Sequence, residues 1–171
     1  MPEWSHVTPE GDRVRMVHIG EKPVARRRAW AEGYVRMSAR TVEQLQQHGS
    51  PKGPILATAR IAGIQAAKST GMLIPLCHPL PIHVVDLAFA WEKNGIRVEA
   101  CVETEARTGV EMEALTAVAV ACLTIYDMCK SVDPTMTIDG IRLLRKEGGR
   151  SGVVELAPPR LLPPGAGSSQ A

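Results

Sequence analysis

HVVDLAFAWEKNGIRVEACVETE, residues 83–105, is the stretch that decides the fold. Two runs with alternating apolar positions, 83–91 and 96–105, flank Lys93-Asn94-Gly95. Asn-Gly between such runs is the strongest short-range hairpin signal, because both residues tolerate the positive φ of a tight turn between twisted strands. The stretch therefore predicts two neighbouring antiparallel strands.

The chain that follows, GVEMEALTAVAVACLTIYDMCK (109–130), is apolar or small on every side between Ala114 and Ile125. A helix apolar all round must be buried all round. The apolar part is well short of the roughly 20 residues that a bilayer span needs, so a core helix between two packed layers is predicted. Thr108 and Glu111 fit a Thr-x-x-Glu capping box, and acids in the first turn suit the positive end of the helix dipole. At the other end Asp127 sits where the dipole disfavours an anion, with Lys130 three residues on along the same face.

Upstream, residues 24–37 read as an extended segment and 38–48 as a short helix. Pro54 suits a first helical turn and opens ILATARIAGIQAAK (55–68), whose Ala and Gly positions allow close backbone packing. Residues 138–146 supply a last strand. Strand, helix, hairpin, helix, strand is the ferredoxin-like β-α-β-β-α-β order, an α+β sandwich with helices on one face of an antiparallel sheet. Helices so placed leave their outer side wet, so an all-apolar helix calls for a second subunit and predicts a homo-oligomer. A polar N-terminus (1–12) and a Pro/Gly/Ser-rich tail (157–171) are expected to be mobile and disordered, around one domain spanning 13–156.

Composition narrows the function classes. A length of 171 residues fits one domain, and a net charge of +2 demands no long polyanion as partner. Aromatics are 4% of the chain, too few to stack bases as an RNA-recognition sheet does, so nucleic acid is not expected. The four cysteines lack C-x-x-C spacing and read as reduced core residues. The first residues carry no apolar targeting segment, so no membrane insertion is expected and localisation defaults to the cytoplasm.

Several residues could serve an anionic ligand. Lys52 lies in Pro51-Lys52-Gly53-Pro54 directly before a helix N-terminus, whose free N–H groups attract anions. One of Arg26, Arg27 and Arg28, with Arg27 the candidate, could fork a phosphate. In LIPLCHPLPI (73–82) three prolines stiffen a loop that presents Leu76, Cys77 and His78; adjacent Cys and His without a second ligand pair make a poor zinc site, so no metal is assigned. Lys146 precedes the Gly-rich, basic Glu147-Gly148-Gly149-Arg150-Ser151-Gly152, which lacks the pattern of a P-loop. Glu113 and Asp127 stand 14 residues apart, roughly 21 Å along a helix, too far for both to touch one reacting centre within one chain. A site using both ends must be shared between subunits.

Residues 109–130, together with KGPILATARIAGIQAAK (52–68), LIPLCHPLPI and LLRKEGGRSG (143–152), resemble the molybdenum cofactor biosynthesis protein C family, the cyclic pyranopterin monophosphate synthases. The resemblance spans about residues 13–152. It implies a lyase that turns 3′,8-cyclo-7,8-dihydro-GTP into cyclic pyranopterin monophosphate and pyrophosphate. It further implies a hexamer built as a trimer of dimers, and a radical enzyme that supplies the substrate. Carried onto this sequence, it implies catalytic roles for Asp127, Lys130 and Lys52. Asp127 and Lys130 would form an acid/base couple, while Lys52 stabilises developing charge. It implies substrate contact by Leu76, Cys77, His78 and Lys146; in the same site Met112, Glu113 and Glu111 would bind the guanine-derived edge or the ribose, with Arg27 the candidate for a phosphate. No cofactor is required, although Mg²⁺ can accompany the triphosphate. Arg150 stands where a lysine is common, and His18 where relatives often carry aspartate. Two other classes compete: a non-catalytic nucleotide-binding regulatory module, and a triphosphate pyrophosphohydrolase, which would want a carboxylate cluster for Mg²⁺.

Overall fold

The computed structural model describes residues 14–165, so the segment 1–12 and the end of the tail lie outside the described residues. The elements run β1 (Ala25–Arg36), α1 (Ala39–His48), α2 (Ile55–Leu73), β2 (Val84–Glu92), β3 (Gly95–Ala106), α3 (Glu111–Cys129), β4 (Thr137–Glu147) and β5 (Val153–Glu155). The strands form one sheet in the order β2-β3-β1-β4-β5, with every neighbouring pair antiparallel. This is the predicted α+β ferredoxin-like sandwich, extended at one edge by a short strand.

The hairpin sits where the sequence places it. Gly95 has φ +150°, and a Cβ there would stand 2.2 Å from the Val35 carbonyl oxygen. Glycine is thus required by the close approach of β1 as well as by the turn. Along β1, strand alternation sends Ala29, Ala31 and Val35 into the main core and Trp30 to the opposite face. There Trp30 joins Cys101 and Leu144 in a smaller apolar cluster.

Helix α3 lies over β1 and against α2, with Ala114, Ala117, Val118, Ala121, Cys122, Ile125 and Cys129 fully buried. Small residues set the spacing, since a Cβ on Gly63 of α2 would stand 3.0 Å from the Ala117 carbonyl. By length and composition α3 could cross a membrane, but its buried side is the core of this sandwich. Leu123 on α3 and Ile61 on α2 remain exposed.

Three expectations need correction. Helix α2 continues to Leu73, five residues past the predicted end. The Thr70 hydroxyl is satisfied by the Ala66 carbonyl (3.2 Å), and Gly71, which could read as a stop, instead admits the backbone of Pro79. The capping box is absent: Val110 is the N-cap of α3 and no side chain caps it. Glu111 is drawn to Lys146 instead, at 2.9 Å. Finally, residues 157–162, expected within a disordered tail, pack on the sheet: Ala157 and Leu162 cover the Trp30 cluster.

Candidate active site

The head of α3 and two loops frame a pair of adjoining cavities. The smaller, about 370 Å³, is lined by Leu76, Cys77, His78, Met112 and Glu113, among others. The larger, about 550 Å³, is lined by Arg27, Arg107, Lys146, Gly149 and Arg150. Lys22, Thr108, Gly109 and Glu111 border both, so the two adjoin at the head of α3.

The smaller cavity is the less charged. Glu113 is 3% exposed, and burial pushes its carboxyl up to about 7, with the charge of Glu111 adding to the rise. It can therefore gain or lose a proton near neutrality. Burial and the nearby Glu113 also raise the Cys77 thiol, which favours a neutral contact group over a thiolate.

The larger cavity is cationic. Arg26 forks Glu103 at 2.8 and 2.9 Å, while Arg28 stacks over Trp30 and pairs with Glu103 at 3.2 Å. Alternation turns Arg27 the other way, where its guanidinium lies against Gly149; a Cβ there would stand 1.7 Å from it. The Gly148-Gly149 pair, both at positive φ, makes room for Arg27. Lys22 and Arg107 are lining residues that the sequence reading missed. Arg107 donates to the carbonyls of Gly20 and Lys22, fastening the loop that brings Lys22 to the cavity. A lysine before a proline in a polar loop carries no periodic signal that would single it out.

The foot of α3 carries a second cluster. Asp127 pairs with Lys130 through one carboxylate oxygen and with Lys52 through the other, each at 2.8 Å. These two hydrogen-bonded ammonium groups depress the Asp127 carboxyl to about 2, and Asp127 in turn raises Lys130. Lys52 reaches Asp127 because the Ser50 hydroxyl donates to the Met128 carbonyl (2.6 Å) and accepts from the Lys52 N–H (3.1 Å). The 19-residue helix separates this cluster from the cavities at its head. The candidate residues thus fall into two groups. Lys52, Asp127 and Lys130 are at the foot; Leu76, Cys77, His78, Glu111, Met112, Glu113, Arg27 and Lys146 are at the head. Among the described residues, no three of His, Cys, Asp and Glu converge on a possible metal position.

Comparison with known proteins places the chain in a family. The MoaC family model matches residues 16–149. This chain belongs to the MoaC family. A cyclic pyranopterin monophosphate synthase of Chloroflexus aggregans is 53% identical over 152 residues, covering 88% of this chain and 92% of that protein. The protein of the same name from Cereibacter sphaeroides (strain KD131) is 55% identical over 148 residues, 85% and 93% of the two chains. That from Novosphingobium aromaticivorans is 49% identical over 157 residues, 92% and 99% of the two chains. The family match takes in both ends of α3 and both cavities except for the last residues of the Gly-rich loop.

Proposed function

We propose that this chain is a lyase of molybdenum cofactor biosynthesis. It converts 3′,8-cyclo-7,8-dihydro-GTP into cyclic pyranopterin monophosphate with release of pyrophosphate. The observation that carries the reading is the adjoining pair of cavities, one cationic and one lined by Leu76-Cys77-His78 and Met112-Glu113, in a chain about half identical to synthases of that name.

The cationic cavity takes the triphosphate on Lys22, Arg27, Lys146 and Arg150, whose charges are matched to phosphate oxygens. The smaller cavity takes the guanine-derived ring, with Glu113 accepting from its N–H edge. Attack of a sugar-derived hydroxyl on the α-phosphorus breaks the bond to the β-phosphate and expels pyrophosphate. The ammonium groups of Lys130 and Lys52 stabilise the developing charge, and one of them hands a proton to the departing pyrophosphate and takes the hydroxyl proton in return, so each lysine ends the step charged. Asp127, held ionised, keeps both lysines charged and aimed, so its part is orientation rather than proton abstraction. No resident cofactor is needed, and any Mg²⁺ enters with the triphosphate.

Because one helix separates the two groups, the complete site draws its foot from one copy of the chain and its head from another. Exposed Ile61 and Leu123 on the helical layer favour association. A hexamer, built as a trimer of dimers, suits this arrangement. The working compartment is the cytoplasm, where a radical enzyme supplies the unstable substrate.

The test is anaerobic incubation with 3′,8-cyclo-7,8-dihydro-GTP, following the pterin product by mass spectrometry and pyrophosphate by a coupled assay. Both products are expected from the wild type and neither from Lys130→Ala. Binding without turnover by the wild type would overturn the assignment.

A further inference from the structure

Glu99 lies in β3 on the sheet face away from the helices and is fully buried. Its carboxylate accepts three consecutive main-chain N–H groups: Arg160 at 2.9 and 3.1 Å, Leu161 at 2.8 Å and Leu162 at 3.2 Å. A carboxylate out of water needs such donors, and hydrogen bonds to a charged acceptor are among the stronger ones. The donors come from a segment beyond the family match, which ends at residue 149.

That segment is physically continuous with the cationic cavity. Leu162 and Ala157 pack on Trp30, Cys101 and Leu144. The Leu156 and Ala157 N–H groups donate to the Leu144 carbonyl at 2.8 and 3.0 Å. Strand β5 then pairs Val154 with Lys146 and Val153 with Glu147. Between β4 and β5 the Gly148–Gly152 turn closes on itself and carries Arg150, with Gly149 beside Arg27.

We propose that residues 156–162 form a strap, anchored on Glu99, which holds β5 to β4 and thereby positions Lys146 and the 148–152 turn over the cationic cavity. Glu99 is a positioning residue on the far face of the sheet. The functional part of this inference rests on the reading of that cavity as the triphosphate site.

The test uses two full-length variants, Glu99→Gln in the sheet and Leu162→Asp in the strap, so that one perturbs the anchor and the other leaves the sheet intact. Hydrogen exchange and calorimetric titration with pyrophosphate are both independent of turnover. Amides of residues 148–157 are expected to exchange about 10-fold faster in both variants, with β1 and the rest of β3 within about twofold of wild type. Pyrophosphate affinity should weaken about 5- to 10-fold, and in the active enzyme KM should rise with kcat held within about twofold. Unchanged exchange over 148–157 would overturn the strap. Acceleration spread equally through β1 and β3 would also overturn it, since Glu99 would then support only the sheet as a whole. Faster exchange with unchanged pyrophosphate affinity would overturn the link to the cavity. A wild type that binds pyrophosphate but forms no pterin would defeat the synthase reading while leaving exchange and affinity to judge the strap.

Discussion

Lys52 donates to both the side-chain carboxylate and the main-chain carbonyl of Asp127, at 2.8 Å each, so a loop ahead of α2 is tied to the last turn of α3. The second of these bonds survives loss of the carboxylate. Asp127→Asn should therefore leave Lys52 near its place while releasing Lys130. The expected result is a fall in kcat of about 10²- to 10³-fold with little change in melting temperature, measured by product formation and thermal unfolding.

Glu113 gives a prediction in pH. Its folded carboxyl titrates at about 7, above its ordinary value of 4.5, so the folded chain binds the extra proton between those limits. The stability this confers is present in full below the unfolded value and is lost as pH rises through about 7. At about 1.4 kcal/mol per unit the loss is on the order of 3 kcal/mol. Denaturant unfolding between pH 5 and 8 should show this decline in the wild type and a flatter profile in Glu113→Gln.

The Lys146 ammonium is held by Glu111. Phosphate must compete with that carboxylate. Glu111→Gln is expected to tighten pyrophosphate binding about 3- to 10-fold, and Lys146→Ala to weaken it by a similar factor, both steeper at low salt. Isothermal titration at two ionic strengths reads both effects.

Gly149→Ala separates site geometry from stability. The backbone there has φ +72°, where a non-glycine residue costs about 1–2 kcal/mol, and the new methyl would displace the Arg27 guanidinium. A KM increase of about 10-fold is expected beside that modest destabilisation.

A shared site is tested with two inactive chains. In a Glu113→Ala and Lys130→Ala pair, each mixed dimer holds one site with both ends intact. Random 1:1 mixing should restore about a quarter of wild-type activity. No recovery in verified mixed oligomers would refute the sharing.

Much of this was legible in the sequence because the signals were local. Asn94-Gly95 fixed the hairpin, and the run of small apolar residues after Glu113 marked the buried helix. Asp127 and Lys130 lie three apart on one helix, so their pairing needed no tertiary information. Other features depended on partners distant in the chain. Glu111 looks like half of a capping box until Lys146 arrives across 35 residues. Gly71 resembles a helix stop until Pro79 folds back on it. Glu99 reads as an ordinary outward residue of an alternating strand, and only the returning chain at 160–162 shows why a carboxylate is buried there.

The length of α3 has a consequence for inheritance. If each chain lends its head to one site and its foot to another, a chain damaged at one end silences a single site in company with normal partners. A chain damaged at both ends silences two. Coexpressed with the wild type, the doubly damaged form would act as the stronger dominant inhibitor, although either lesion alone already abolishes activity in a pure preparation.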